Sequence, residues 1–309
     1  MVMSVSTSQY FDSASKQLST IQNNLSQTQT QLSTSLQVVQ PSDAPDKTSM
    51  ITKLNSEIAT QSNFTNTLKT VQSQLQSQDT AFQNVTNVLT KVRELTVQAA
   101  NATLNSADRQ TIASQITQLR DQILSIANTQ DVNGNYIFAG AKVSSPAFLK
   151  NPNGVIDYNG DQNRSLAQIG TSLKLQMNTP GSDAFVRVQR PDGKGGNVGV
   201  GFFQSLGDLI SAVQNSDQSN IQRGLSELSS LTLGVTEANA NVGTGLQAVD
   251  SQTSILSEVN LRLQTTLSDV QDLDYTTAIT KMNKQMLSLE ASQSSFAKIT
   301  QLNLFNFIK

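Results

Sequence analysis

The chain of 309 residues contains no cysteine, no histidine and no tryptophan. Without cysteine there can be no disulfide and no thiolate chemistry. Without histidine the commonest catalytic base and zinc ligand is missing. Complete absence of cysteine also suits a chain that crosses compartments unfolded. Charge is scarce: 14% of residues are charged and the formal net charge is -2. The 21 Lys and Arg are scattered, whereas phosphate binding needs them clustered, so no nucleic acid partner is expected. Hydrophobic residues make up 37% and aromatics 5%, too thin for one large globular core and better suited to elongated helices. No run approaches 18 apolar residues, so no membrane-spanning helix is expected. Residues 1–18 lack the basic and apolar regions of a cleavable signal peptide, so any export is expected to take another route.

What is present is a ruler of seven. From Lys53 to Ala99 one seam reads Leu54, Leu68, Leu75, Phe82, Leu89 and a second reads Phe64, Val71, Val85, Val92, Ala99, interrupted only by Gln61 and Gln78. Neither Pro nor Gly occurs between Asp46 and Asn133, so nothing obliges the helix to stop early. About 50 residues would make a rod roughly 75 Å long, and so narrow a stripe needs partner helices. A counterpart runs through Leu228, Val235, Val242, Val249, Leu256, Leu263 and Val270, with Gly234, Gly243 and Gly245 either weakening it or marking close backbone approaches. The two rods are expected to pack antiparallel.

The ends are poorer. Leu18, Ile21, Leu25 and Leu32 stand almost alone among Ser, Thr, Gln and Asn, too few contacts to offset ordering entropy, so this segment is expected to stay disordered until partners complete its seam. Pro41 and Pro45 then mark a hinge ahead of the first rod. At the other end the register breaks at Gln271–Tyr275, and a new seam runs through Met282, Met286, Leu289 and Phe296. The two terminal seams are expected to pair as an assembly seam, in an inner α layer built in the assembled state.

Between the rods, Asn105 with Asp108 three residues on signals a helix start, and Ile112, Ile116, Leu119, Ile123 and Ile126 form a seam expected to fold back on the first rod. Asn133-Gly134 signals a turn, and Tyr136 to Gly140 is expected to begin a strand. From Ala141 to about Gly201 the prolines and glycines concentrate and short β-prone runs appear at Val155–Tyr158, Ser172–Met177 and Ala184–Gln189. Helices resume near Phe203, with Leu206, Leu209, Ile210 and Val213 on one face.

The expected fold is therefore mainly α: an elongated antiparallel helical bundle or coiled coil formed by N- and C-terminal rods, with a small inserted β-rich domain. Its expected divisions are 1–42 and 273–309 as two parts of a terminal α layer disordered in the monomer, 43–140 and 203–272 as two parts of a rod domain, and 141–202 as the insert.

No catalytic, cofactor or metal site emerges. Asp157 to Asn163 alternates oxygen ligands like a calcium loop, but the glycine falls at the fourth position rather than the sixth and Gln168 stands where a bidentate Glu belongs, so a polar hairpin turn is expected. Gly193 to Gly201 is glycine-rich, yet no Gly-Lys-Ser/Thr closes it and Val198 fills the third-glycine position of a dinucleotide fingerprint. A flexible loop is the expectation there. The terminal stripes carry too few lysines for a lipid-facing helix.

Particular residues carry a resemblance: Pro41-Ser-Asp43-Ala-Pro45, Asn101 to Asp108, Arg120 to Leu124, Ala127 to Thr129, Asp131 to Gly140, Ile169-Gly170, Asn178 to Gly181, Asp272 to Met282 and the closing Asn303-Leu304-Phe305. They resemble the flagellin-like axial proteins of the bacterial flagellum and, within that family, the hook-associated junction subunits rather than filament-forming flagellins. The resemblance implies a structural, non-enzymatic subunit, exported unfolded by the flagellar type III apparatus and helped by a cytoplasmic chaperone that binds the C-terminal region. It implies self-association in a short extracellular ring at the hook–filament junction, with a hook-associated protein on the hook side and flagellin on the filament side. A short flagellin, or a secreted helical effector or translocator of a related export system, are the alternatives.

Overall fold

The computed structural model describes residues 2–101, 103–191 and 196–305, with side chains described within 9–298. The elements run α1 (Val2–Thr34), α2 (Pro45–Ala99), α3 (Ser106–Ala127), β1 (Phe148–Lys150), β2 (Ile156–Tyr158), β3 (Leu166–Gln168), β4 (Lys174–Gln176), α4 (Gly181–Ala184), β5 (Val188–Pro191), β6 (Asn197–Val200), α5 (Phe202–Gln214), α6 (Gln218–Gln271) and α7 (Tyr275–Phe305). The fold is mainly α, as expected. Two compact units divide it, Gln61–Ser257 and the pair of segments Met1–Thr60 with Glu258–Lys309.

In the unit from Gln61 to Ser257, α2 and α6 run antiparallel: Gln72 Nε2 donates to Asp250 Oδ1 at 3.4 Å, while Arg93 Nη1, farther along α2, donates to Ser229 Oγ at 3.3 Å. Both rulers bury their seams here. Leu68, Val71, Leu75, Phe82, Val85, Leu89 and Val92 of α2 meet a core shared with Leu228, Val235, Val242, Val249 and Leu256 of α6. Of the four α6 glycines three mark close approach, since a Cβ on Gly224 would collide with Leu209, one on Gly234 would collide with Val186 and one on Gly245 would lie 3.1 Å from Leu75, whereas Gly243 faces open space.

α3 starts as its sequence signals, with Asn105 as N-cap accepting the Asp108 N–H at 2.9 Å. It packs on α5 and also shares a core with α2, where Ile112, Ile116 and Ile123 are buried in the same cluster as Val85, Leu89 and Val92. A polar link to α2 is added at the start of α3. The buried Arg109 donates to the Ala99 and Asn101 carbonyls at 2.7 and 3.0 Å, satisfying acceptors that the end of α2 leaves orphaned.

The expected strand from Tyr136 to Gly140 does not form. Tyr136 makes a single bridge to Gln130, and Ile137, Phe138 and Ala139 are all buried, which the alternating faces of a half-buried strand do not give. Gly140 then turns with φ +71°, and a Cβ there would collide with Asp161. The insert beyond it is three separate antiparallel hairpins, β1–β2, β3–β4 and β5–β6. Two of the three β-prone runs contain the strands β2 and β4. The third is half right: residues 181–184 form the short α4 and only its end enters β5. Residues 193–195 of the glycine-rich run lie outside the described residues, and its later part, from Asn197, is β6.

In the other unit, α1 and α7 pack on each other. The rulers thin out here, and Leu54, Leu263 and Val270 are only half-buried.

Candidate assembly surface

The α1/α7 pair is antiparallel. The rings of Phe11 and Phe296 lie 4.9 Å apart, and Ser35 Oγ and Tyr275 OH are hydrogen-bonded at 2.5 Å where the end of α1 meets the start of α7. Along the seam Leu18, Ile21, Leu25 and Leu32 are half-buried on α1, as are Met282, Leu289 and Phe296 on α7. Met286 lies off that line, 51% exposed, and Gln285 stands on the inner side in its place. The most buried groups are Thr28 and Ala278, small side chains that bury little area. Thr28 returns its hydroxyl to the Asn24 carbonyl at 3.0 Å.

The segment expected as a hinge follows a clasp of two strands of chain. Ser35 takes a left-handed φ of +63°, ending α1 as helix C-terminal residues commonly do. Gln37 N–H donates to the Gln271 carbonyl at 2.8 Å and Leu273 N–H donates to the Ser35 carbonyl at 3.0 Å, so Leu36 and Asp272 form an antiparallel bridge. Pro41 stands in the turn closed by Asp43, whose N–H donates to the Gln40 carbonyl and whose carboxylate accepts the Gln40 N–H, both at 3.0 Å. Pro45 is the first residue of α2, with Asp46 in its first turn, the placement that a fixed φ and a helix dipole favour. Asp274 caps α7: the Thr277 hydroxyl at 2.6 Å and the Thr277 and Thr276 N–H groups hold its carboxyl below the usual carboxylate range.

The other unit holds the insert through side-chain amides. Gln78, the polar interruption in the α2 seam, is fully buried; its Nε2 donates to the Met177 carbonyl at 2.8 Å and its Oε1 accepts the Thr179 N–H at 2.9 Å. Asn128 treats Phe148 the same way, with both bonds at 2.9 Å. Asn178 accepts the Ser165 N–H at 2.7 Å and donates to Asn163 and Gly140 carbonyls. Arg190 of β5 grips Glu227 of α6 through two bonds, at 2.8 and 2.9 Å, and Asp208 of α5 at 2.6 Å. Burial pushes the Glu227 carboxyl up, but Arg190 and the Ser205 hydroxyl outweigh it and hold it below the usual value. None of these roles was legible from spacing. Only Gln78 was signalled, as a polar residue at a seam position.

The Asp161 carboxylate accepts the Ala141 and Asn163 N–H groups at 2.8 and 2.9 Å, so the calcium-like run serves as turn scaffolding here. Among the described residues no helix is long and apolar enough to cross a membrane.

Two family models match the chain in tandem, the bacterial flagellin N-terminal helical region over residues 5–143 and the bacterial flagellin C-terminal helical region over residues 225–308. Together with the paired terminal helices, they make this chain a member of the flagellin-like family of flagellar axial proteins. Within the family it is similar to flagellar hook-associated protein 3 of Escherichia coli, 29% identical over 90% of this chain and 91% of that one. It is 27% identical to the flagellin of Clostridium tyrobutyricum over 56% of this chain and 45% of that one. The solved structure of a flagellar hook-associated protein from Vibrio parahaemolyticus has the same fold, with a TM-score of 0.66 at 21% identity over 74% of this chain and all of that one.

Proposed function

We infer that this chain is the structural subunit that joins hook to filament in a bacterial flagellum. The observation that carries this reading is the extent of the likeness to the Escherichia coli hook-associated protein. It leaves out about a tenth of either chain, less than the length of the insert, so the insert itself takes part. The subunit is not an enzyme. It is exported unfolded with the help of a chaperone and self-associates in a ring, with a hook-associated neighbour on one side and flagellin on the other. Residues 1–42 and 273–309 form the terminal layer, residues 43–140 and 203–272 the rod domain and 141–202 the insert. The α1/α7 seam supports the part played by the ends: its half-buried leucines and Met282 are what neighbouring copies would finish covering.

The test is a clean deletion of the gene, with filament growth and swimming as readouts. The expected result is intact hooks without attached filaments, monomeric flagellin shed into the medium, and recovery when the gene is returned. Purified subunits added to filament fragments should stop after a thin layer. Unlimited growth would mark a flagellin, and unchanged motility in the deletion strain would overturn the flagellar reading.

A further inference from the structure

The α1/α7 pair has two unlike flanks. On α7, Tyr275, Ile279 and Met286 fall within about 40° of one another on a helix of 100° per residue, and all three are exposed, at 48%, 44% and 51%. Beside them on the same wheel is Glu290. α1 turns Ser15, Gln22 and Gln29 toward this side on the same construction, so it offers nothing apolar to cover the stripe. About 150° around α7 lie Lys281 and Lys284. They rim a groove of about 610 Å³ between the two helices, whose walls include Ile21, Thr280 and Gln285. Neither lysine, nor Glu290, forms an ion pair among the described residues. The Oε1 of Gln285 is buried and accepts no hydrogen bond among the described residues.

We propose that the Tyr275–Ile279–Met286 stripe of one copy seats in the Lys281/Lys284 groove of the next, with Glu290 meeting the lysines. This rests on the reading of the chain as a self-associating axial subunit and adds which faces meet. Apolar stripe meets a groove lined by Ile21, threonine methyls and lysine stems, and the acid meets unpaired cations. Because the two surfaces differ, the contact is head-to-tail, the kind that closes into a ring or continues as a helix instead of stopping at a dimer. A third helix laid along a two-helix seam also supplies the cover that a narrow stripe needs.

The absence of native cysteine makes the test clean. The gene is replaced in the cell by a chain carrying Ile279→Cys on the stripe and Ser288→Cys in the groove, and intact flagella are treated with a short bismaleimide. The expected product is a ladder of dimers, trimers and higher species, with each single variant remaining monomeric. Dimers from Ile279→Cys alone would show stripe meeting stripe and overturn the proposal, as would the absence of any ladder in flagella that still swim. Charge gives a second measurement: Glu290→Lys and Lys284→Glu each weaken retention of filaments under shear at least tenfold, and the two combined in one chain restore it. Failure of the combination to restore retention overturns the pairing. Unchanged motility on deleting the gene would instead remove the axial reading itself, so the two failures are distinguishable.

Discussion

The side-chain carbonyl of Gln78, on the apolar seam of α2, accepts the backbone N–H of Thr179, 101 residues away, at 2.9 Å. With its amide on the Met177 carbonyl, it stands in for a paired strand. Gln78→Leu would perfect the heptad and yet strand two half-buried backbone groups at about 1–3 kcal/mol each. Chemical denaturation should show a loss of about 2–4 kcal/mol. Gln61→Leu, at the matching interruption seventeen residues earlier, touches no part of the insert and should be neutral or stabilising.

Glycines in α6 should respond in opposite directions. Gly243→Ala meets nothing within 4 Å and should gain up to about 1 kcal/mol from helix propensity. Gly234→Ala drives its Cβ into Val186 and should lose stability by about 1–3 kcal/mol as an overpacked site. Thermal melts of the two variants check the signs.

Arg190→Ala leaves the Glu227 carboxylate, 8% exposed, with only the Ser205 hydroxyl and Arg223 at 3.3 Å. The expected cost is about 3 kcal/mol, the low end for breaking a buried pair. A depressed carboxyl stabilises above its ordinary value of 4.5 and loses that contribution as pH falls through the folded value. The wild-type chain should therefore weaken more steeply below pH 4.5 than Glu227→Gln, which should be less stable at neutral pH. Denaturation midpoints measured from pH 7 to pH 3 compare the slopes.

Protease should trim the dilute subunit to a core near residues 45 to 270. The α1/α7 seam buries little beyond Thr28 and Ala278, less than the ordering of about 65 residues costs. Mass spectrometry of the limit digest locates the cuts. Uniform protection of residues 1 to 40 would show that the pair stands without neighbours.

The heptads made the helices legible because burial repeats where the apolar residues do: Leu68, Leu75, Phe82 and Leu89 all reach the core, as do Leu228, Val235, Val242, Val249 and Leu256. The Asn105 cap and the face of α5 were legible for the same reason, a local rule with a local cause. The insert was half legible. Its hairpins are held by Asn128, Asn178 and Gln78, and a carboxamide does not announce which distant backbone it will pair with. Tyr136–Gly140 read as a strand because its residues are β-prone, whereas its buried run is set by the surrounding core. On α7 the four-residue step from Met282 turns Met286 about 40° toward the exposed flank, and Gln285 falls on the inner side in its place.

The clasp between Ser35 and Tyr275 joins residues 240 apart. Such a contact is costly to make from an open chain, because the entropy of closing a loop grows with its length and must be met before the contact repays it. Once α2 and α6 have paired, the same two residues are neighbours at the end of a short tether. Chain connectivity therefore sets a sequence of events: the middle of the protein folds first and its two ends zip together last.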